Sequence, residues 1–153
     1  MRVLGLDVGD RRIGIALSDE LGLTAQGLMV LKRRDRATDL TALQALITHH
    51  QVERIVVGMP RNMDGSYGRQ ALKTERFMRA LEQATHLPCV GWDERLTTQQ
   101  AERLLIEADR RRDQRKAIRD QLAAQLILQN YLDYQHIEEA RRRRHEGAQE
   151  SST

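Results

Sequence analysis

The stretch Val3-Leu4-Gly5-Leu6-Asp7-Val8-Gly9 decides the fold, because apolar residues continue on both sides of an aspartate. A strand that is apolar at nearly every position is typical of a central strand covered on both faces. We therefore expect Asp7 to be partly buried. Strand alternation puts Val3, Gly5 and Asp7 on one face, so the neighbouring glycines are expected to leave open space where a ligand could approach the carboxylate.

The rest of the chain predicts one α/β domain around this strand. Residues 12–18 and 25–31 are further β-like runs joined by short turns, which indicates an antiparallel meander. Strands and helices then alternate, which implies parallel pairing. The expected segments are helices over about 38–50 and 69–84, strands at 55–58 and 89–92, and a last helix over roughly 116–134.

The C-terminal end differs in composition from the rest. Residues 138–153 are charged, small and polar and lack apolar periodicity, so we expect a disordered tail there. The sequence therefore predicts one folded domain over residues 1–137, followed by this tail. A length of 153 residues is ordinary for one domain with its own core.

Composition excludes several classes of protein. Hydrophobic residues make up 40% and charged residues 31%, and no apolar run approaches the ~20 residues that a membrane span needs. The N-terminus does not have the pattern of a signal peptide, so we expect a cytoplasmic protein. The single cysteine, Cys89, excludes an internal disulfide and a multi-cysteine zinc site, and thiol chemistry is not expected.

Basic residues are concentrated in two stretches, residues 110–119 and Arg141 to Arg144, although the net charge is only +3. Aromatic residues are 3% of the chain, which argues against a platform for base stacking and favours contact with phosphates. A solvated helix face is the alternative interpretation of the first stretch.

Three separated segments carry acids in unexpected places. Asp120 begins an apolar row on the last helix, and Asp93 and Glu94 follow the strand at 89–92, where α/β proteins bind ligands. Converging carboxylates suit Mg²⁺ or Mn²⁺, and two such ions about 3.5 to 4 Å apart can support phosphodiester hydrolysis. The alternatives are that Asp7 binds turn amides and that Asp120 only favours the helix dipole.

The motifs together resemble the YqgF family over residues 1–135. They are Gly5-Leu6-Asp7-Val8-Gly9-Asp10-Arg11-Arg12-Ile13-Gly14-Ile15-Ala16, Val57-Gly58-Met59-Pro60 with Asp64-Gly65-Ser66, Asp93-Glu94-Arg95-Leu96-Thr97-Thr98, and Asp120-Gln121-Leu122-Ala123-Ala124. The resemblance implies a ribonuclease H-like fold, a five-stranded mixed sheet of order 3-2-1-4-5 with helices on both faces. It also implies membership among Holliday junction resolvase-like proteins that are usually described as pre-16S rRNA nucleases.

The same resemblance implies the site residues. Asp7, Glu94 and Asp120 match the family's three acidic positions and are expected to be the catalytic residues and the ligands of Mg²⁺ or Mn²⁺. Because adjacent strand residues point to opposite faces, only one of Asp93 and Glu94 should face the metals. Water is then the nucleophile, with no covalent enzyme intermediate.

Four arginines are candidates for nucleic-acid binding. Arg112 and Arg115 lead into the helix that carries Asp120, where a phosphate backbone must run. Arg61 could contact phosphate or stabilise its own loop, and Arg95 could stabilise phosphate charge or bridge to Asp93.

The sequence therefore predicts a metal-dependent nuclease that acts in 5' end processing of pre-16S rRNA. A Holliday junction-resolving DNA endonuclease and a noncatalytic nucleic-acid-binding protein are the alternatives. An ATPase or sugar-kinase phosphate loop at Gly5-x-Asp7-x-Gly9 is disfavoured by the length, since those proteins need two such domains. Expected partners are pre-rRNA or branched DNA and ribosomal precursor particles, with the protein a monomer or weak dimer.

Overall fold

A computed structural model describes residues 1–60, 68–93 and 116–151. Its strands form one five-stranded mixed sheet of order β3-β2-β1-β4-β5, which confirms the predicted fold class and strand order. The elements are β1 (Arg2–Val8), β2 (Arg12–Ser18), β3 (Ala25–Lys32), α1 (Arg36–His50), β4 (Val52–Met59), α2 (Arg69–Thr85), β5 (Cys89–Asp93) and α3 (Lys116–Ser151).

Strand β1 lies in the centre of the sheet, antiparallel to β2 and parallel to β4. Its alternate residues enter two separate cores. Leu4 and Leu6 belong to the core formed with α1 and α2, whereas Val3 belongs to the core formed with α3. Both faces of β1 are therefore covered, as its apolar sequence predicts.

Helix α3 packs very closely on the strands it covers. Glycines lie beneath it in three adjacent strands, at Gly5 of β1, Gly14 of β2 and Gly27 of β3. A Cβ atom added at Gly14 would collide with the carbonyl oxygen of Asp120, and one at Gly5 would lie 2.7 Å from the Cβ of Leu128. The absence of these side chains lets the helix backbone approach the sheet.

This packing corrects the prediction of open space beside Asp7. The space above Gly5 is filled by Leu128 and by the carbonyl oxygen of Ala124. A Cβ at Gly9 would lie 2.9 Å from the Arg12 carbonyl oxygen, because the Gly9 amide donates a hydrogen bond to it across the β1–β2 turn. The two glycines therefore serve close backbone approach, of a helix at Gly5 and of a turn at Gly9.

The end of helix α3 also differs from the prediction. Residues 138–153 were expected to be disordered, but the helix continues through Ser151. Residues 139–148 are exposed, and the Arg141 and Glu138 side chains form an ion pair of 3.5 Å one turn apart. Extending a helix that packing has already nucleated requires little more than good helix formers such as Glu, Ala and Arg.

None of the helices in the described ranges is long and apolar enough to cross a membrane.

The close approach of α3 predicts that Gly14→Ala destabilises the protein. The added methyl group would collide with the Asp120 backbone, which cannot rotate away, so we expect the free energy of unfolding to fall by about 1 to 3 kcal/mol. Gly147→Ala is the control. Gly147 lies in the exposed end of α3, and a Cβ added there would meet nothing within 4 Å. The control should leave stability unchanged or raise it by up to about 1 kcal/mol. Urea unfolding measures both, and equal stability of the two variants would contradict the packing argument.

Candidate active site

Asp7 and Asp120 lie side by side on the face of the sheet that α3 covers. Asp7 pairs with Gly14 across β1 and β2, so the two residues share a face. The backbone of Asp120 passes directly over Gly14. Both acids are only partly buried. The first and third of the predicted catalytic acids are thus brought together from positions more than a hundred residues apart.

Asp120 does not have the position that the helix-dipole alternative requires. No acidic residue lies in the first turn of α3 as described from Lys116, and Asp120 follows that turn. Its carboxylate instead contacts a cation from the sheet, since Oδ2 lies 2.9 Å from Nε of Arg12. Both side chains are about a third exposed, at 36% for Arg12 and 33% for Asp120. A local interaction with the helix terminus therefore does not account for this acid.

Asp93, at the end of strand β5, does not share a face of the sheet with Asp7 and Asp120. The Trp92 ring packs edge-on against Tyr131 of α3, with centroids 5.5 Å apart, so Trp92 faces α3. Gly91 faces the other way, where an added Cβ would meet Met59 and Met78. Asp93 shares the face of Gly91 because strand residues alternate. Asp93 therefore lies on the opposite face of the sheet from Asp7.

Several predicted residues lie outside the described ranges. These are Glu94 among the acids and the four candidate phosphate contacts, Arg61, Arg95, Arg112 and Arg115. The helix start predicted at Thr97 and Gln100 lies there as well. Their roles stay predictions.

A partly buried ion pair that the sequence pattern did not predict supports the turn after Asp7. Asp39 of α1 is 2% exposed, and its Oδ2 lies 3.3 Å from Nε of Arg33. Arg33 also donates from Nη1 to the Gly9 carbonyl at 3.0 Å, and its guanidinium lies 5.1 Å from the centre of the Phe77 ring. Through these contacts the pair connects the turn that follows Asp7 to helices α1 and α2, on the face of the sheet opposite α3.

The signal for this pair was present in the sequence but ambiguous. Asp39 is an acid within the apolar spacing of α1, as Leu43 and Ile47 on the same face are buried. Arg33 belongs to a run of charged residues that resembles an ordinary exposed loop. Only the fold shows that these two residues meet.

The donor set suits a hard divalent cation, although it is incomplete in the described ranges. Two carboxylates at one place supply the oxygen ligands that Mg²⁺ and Mn²⁺ prefer. No group of three or more His, Cys, Asp or Glu side chains that could hold a metal occurs among the residues the structure describes. Asp7 and Asp120 thus fit a metal site that needs a further ligand.

Cys89 takes no part in this arrangement. It packs against the core of α1 and α2, and burial, with a smaller effect of Glu82, raises the pKa of its thiol to about 12. A thiol with that pKa is protonated at neutral pH and is a poor nucleophile.

The five-stranded mixed sheet of order 3-2-1-4-5 with helices on both faces is a ribonuclease H-like fold. The structure is similar to "T. thermophilus RuvC in complex with Holliday junction substrate", with a TM-score of 0.57 and 16% identity. That likeness covers 90% of this chain and 96% of the other, so it extends over the whole fold.

The chain belongs to the RuvX family, whose model, described as "Holliday junction resolvase", matches residues 1–134. This confirms the resemblance seen in the sequence. A protein from Halothermothrix orenii is 53% identical over 135 residues, which are 88% of this chain and 96% of that protein. Another from Symbiobacterium thermophilum is 54% identical over 133 residues, covering 87% and 92%. Both are named "Putative pre-16S rRNA nuclease".

Proposed function

We propose that this protein is a metal-dependent nuclease that hydrolyses phosphodiester bonds in the 5' end processing of pre-16S rRNA, in the cytoplasm. The observation that carries the proposal is the juxtaposition of Asp7 and Asp120 on one face of a ribonuclease H-like sheet. Two carboxylates held together across a fold repel each other unless a cation compensates them. Membership in a family of nucleases supplies the reaction class.

The metal ligands in this proposal are Asp7, Asp120 and Glu94. Asp93 lies on the face of the sheet opposite Asp7. We therefore propose Glu94, and not Asp93, as the third ligand. Bound Mg²⁺ or Mn²⁺ would supply an activated water and would stabilise the charge on the leaving oxygen. The three carboxylates would hold the metal beside the scissile phosphate, and the Arg33–Asp39 pair keeps the turn after Asp7 in place.

The proposed phosphate contacts are Arg61, Arg95, Arg112 and Arg115. Arginine binds phosphate through a planar fork of donors, and each such arginine neutralises one backbone charge. Residues 112 and 115 immediately precede α3, which carries Asp120 near its start. That proximity in sequence supports a strand of nucleic acid running across this end of the sheet.

The two candidate functions, rRNA processing and junction resolution, differ in their substrate. Relatives about half identical to this chain are named as pre-16S rRNA nucleases, which favours RNA. The family description and the fold favour a junction-resolving DNA endonuclease as the second candidate. A resolvase must cut two strands symmetrically and needs two active sites in a two-fold dimer, whereas trimming an RNA needs one site. We propose RNA, with the protein acting as a monomer or weak dimer, on ribosomal precursor particles.

The acids should be essential for cleavage and dispensable for folding. Asp7→Asn, Glu94→Gln and Asp120→Asn each keep the side-chain shape and remove a metal ligand, so metal-dependent cleavage should fall by orders of magnitude while nucleic acid still binds. Cleavage is measured with an end-labelled RNA in Mn²⁺.

The matched control for these variants is Asp10→Asn. Asp10 is an exposed acid three positions after Asp7, and it contacts Lys73 at 3.6 Å instead of α3. It should retain full activity. Undiminished activity in all three site variants would show that the chemistry lies elsewhere.

Replacing Arg112 and Arg115 with Ala should weaken binding to all RNA sequences alike. If each arginine neutralises one phosphate, the slope of log affinity against log salt should decrease by roughly 0.7 for each arginine removed, on single-stranded RNA. Fluorescence anisotropy in the Asp7→Asn background measures this without cleavage. An unchanged slope would assign these residues to a solvated face.

Direct competition of substrates should favour RNA. Under matched Mn²⁺ and salt, an RNA carrying 16S sequence and its 5' flank should be cut faster than a four-way DNA junction. Asp7→Asn prepared in parallel controls for contaminating nucleases. Faster, paired and symmetric nicks in the junction that are absent from this variant would establish the resolvase instead.

A further inference from the structure

A basic residue lies against one of the proposed metal ligands. Arg12 is the first residue of β2 and shares the α3 face with Gly14. Its Nε atom is 2.9 Å from Oδ2 of Asp120. No other ion pair of Arg12 occurs in the part of the chain that the structure describes.

The contact is poorly suited to a purely structural role. Ion pairs whose side chains are about a third exposed contribute little to stability, because water screens the charges. The N–H of Arg12 Nε is buried and has no aligned hydrogen-bond acceptor among the described residues, an arrangement that is unfavourable for folding. The position of Arg12 therefore needs an explanation other than stability of the fold.

The charges around Asp120 supply that explanation. Asp7 and Asp120 lie on one face and repel each other, and the guanidinium of Arg12 is the positive charge in contact with Asp120. A divalent cation that binds Asp120 must share the carboxylate with this guanidinium, and two positive charges that approach one carboxylate repel each other.

On the proposed function, we infer that Arg12 is a positioning residue that holds the Asp120 carboxylate in the metal-free protein and competes with the metal for it. Arg12 thereby keeps Asp120 directed toward Asp7 while the site is empty, and it lowers the affinity of the site for Mg²⁺ or Mn²⁺.

The test compares Mn²⁺ binding by Arg12→Gln, Arg12→Lys and the wild-type protein. Arg11→Gln is the matched control, because Arg11 is the preceding residue, carries the same charge and is exposed. Free Mn²⁺ is counted by electron paramagnetic resonance, so that the readout does not depend on activity. Circular dichroism and the unfolding midpoint verify that each variant is folded.

Arg12→Gln should bind Mn²⁺ at least about fivefold more tightly than the wild type, because a unit positive charge a few ångströms from the metal is removed. Arg12→Lys keeps the charge and should stay near the wild-type affinity, and Arg11→Gln should stay within about twofold. Equal or weaker binding by Arg12→Gln would overturn the inference. So would equal tightening by Arg11→Gln, since the effect would then be one of net charge.

The Mn²⁺ titrations distinguish failure of the proposed metal site from failure of the inference about Arg12. If the wild type binds Mn²⁺ and Asp120→Asn does not, the metal site stands, and the affinity of Arg12→Gln alone decides the role of Arg12. If no variant binds Mn²⁺, both the proposed metal site and the inference are wrong. Should Arg12→Gln fail to fold, Arg12→Met takes its place, because it also removes the positive charge and should tighten Mn²⁺ binding by the same factor.

Discussion

Helix α3 lies so close to strands β1, β2 and β3 that side chains at three positions in the sheet must be absent. Gly5, Gly14 and Gly27 provide this, and the tightest approach is at Gly14, where the Asp120 backbone crosses β2. The same approach brings an acid from residue 120 next to an acid from residue 7, since Gly14 pairs with Asp7. The packing constraint and the candidate site are therefore one feature of the structure, and a change in the first must alter the second.

Most of the fold was predictable because its signals are local. The strands that begin at residues 2, 12 and 25 match their apolar runs, and the order 3-2-1-4-5, which the family resemblance implied, is observed. Helix α1 begins earlier than predicted because Asp35 caps it, accepting from the Thr38 amide at 2.8 Å. The polar composition of residues 138–153 does not predict the extension of α3, because a nucleated helix can continue with few contacts.

The site was only partly predictable, since its contacts join distant segments. Asp7 and Asp120 could be recognised as acids inside apolar patterns, and the family resemblance named them. The contact of Arg12 with Asp120 and that of Arg33 with Asp39 cannot be read from spacing, because each depends on how a helix packs on the sheet. Adjacency in a strand predicts only that one of Asp93 and Glu94 faces the metals, and the strand register shows that Asp93 lies on the face opposite Asp7.

Electrostatics connects these observations to function. Like charges gathered at one place destabilise a fold unless cations compensate them, and the guanidinium of Arg12 contacts the carboxylate of Asp120. A crystal structure of the protein grown with Mn²⁺ tests the central claim most directly. The account predicts an anomalous peak between the carboxylates of Asp7 and Asp120, with Glu94 as a further ligand. Absence of a peak there from a fully occupied Mn²⁺ crystal, or a peak confined to other residues, would contradict it.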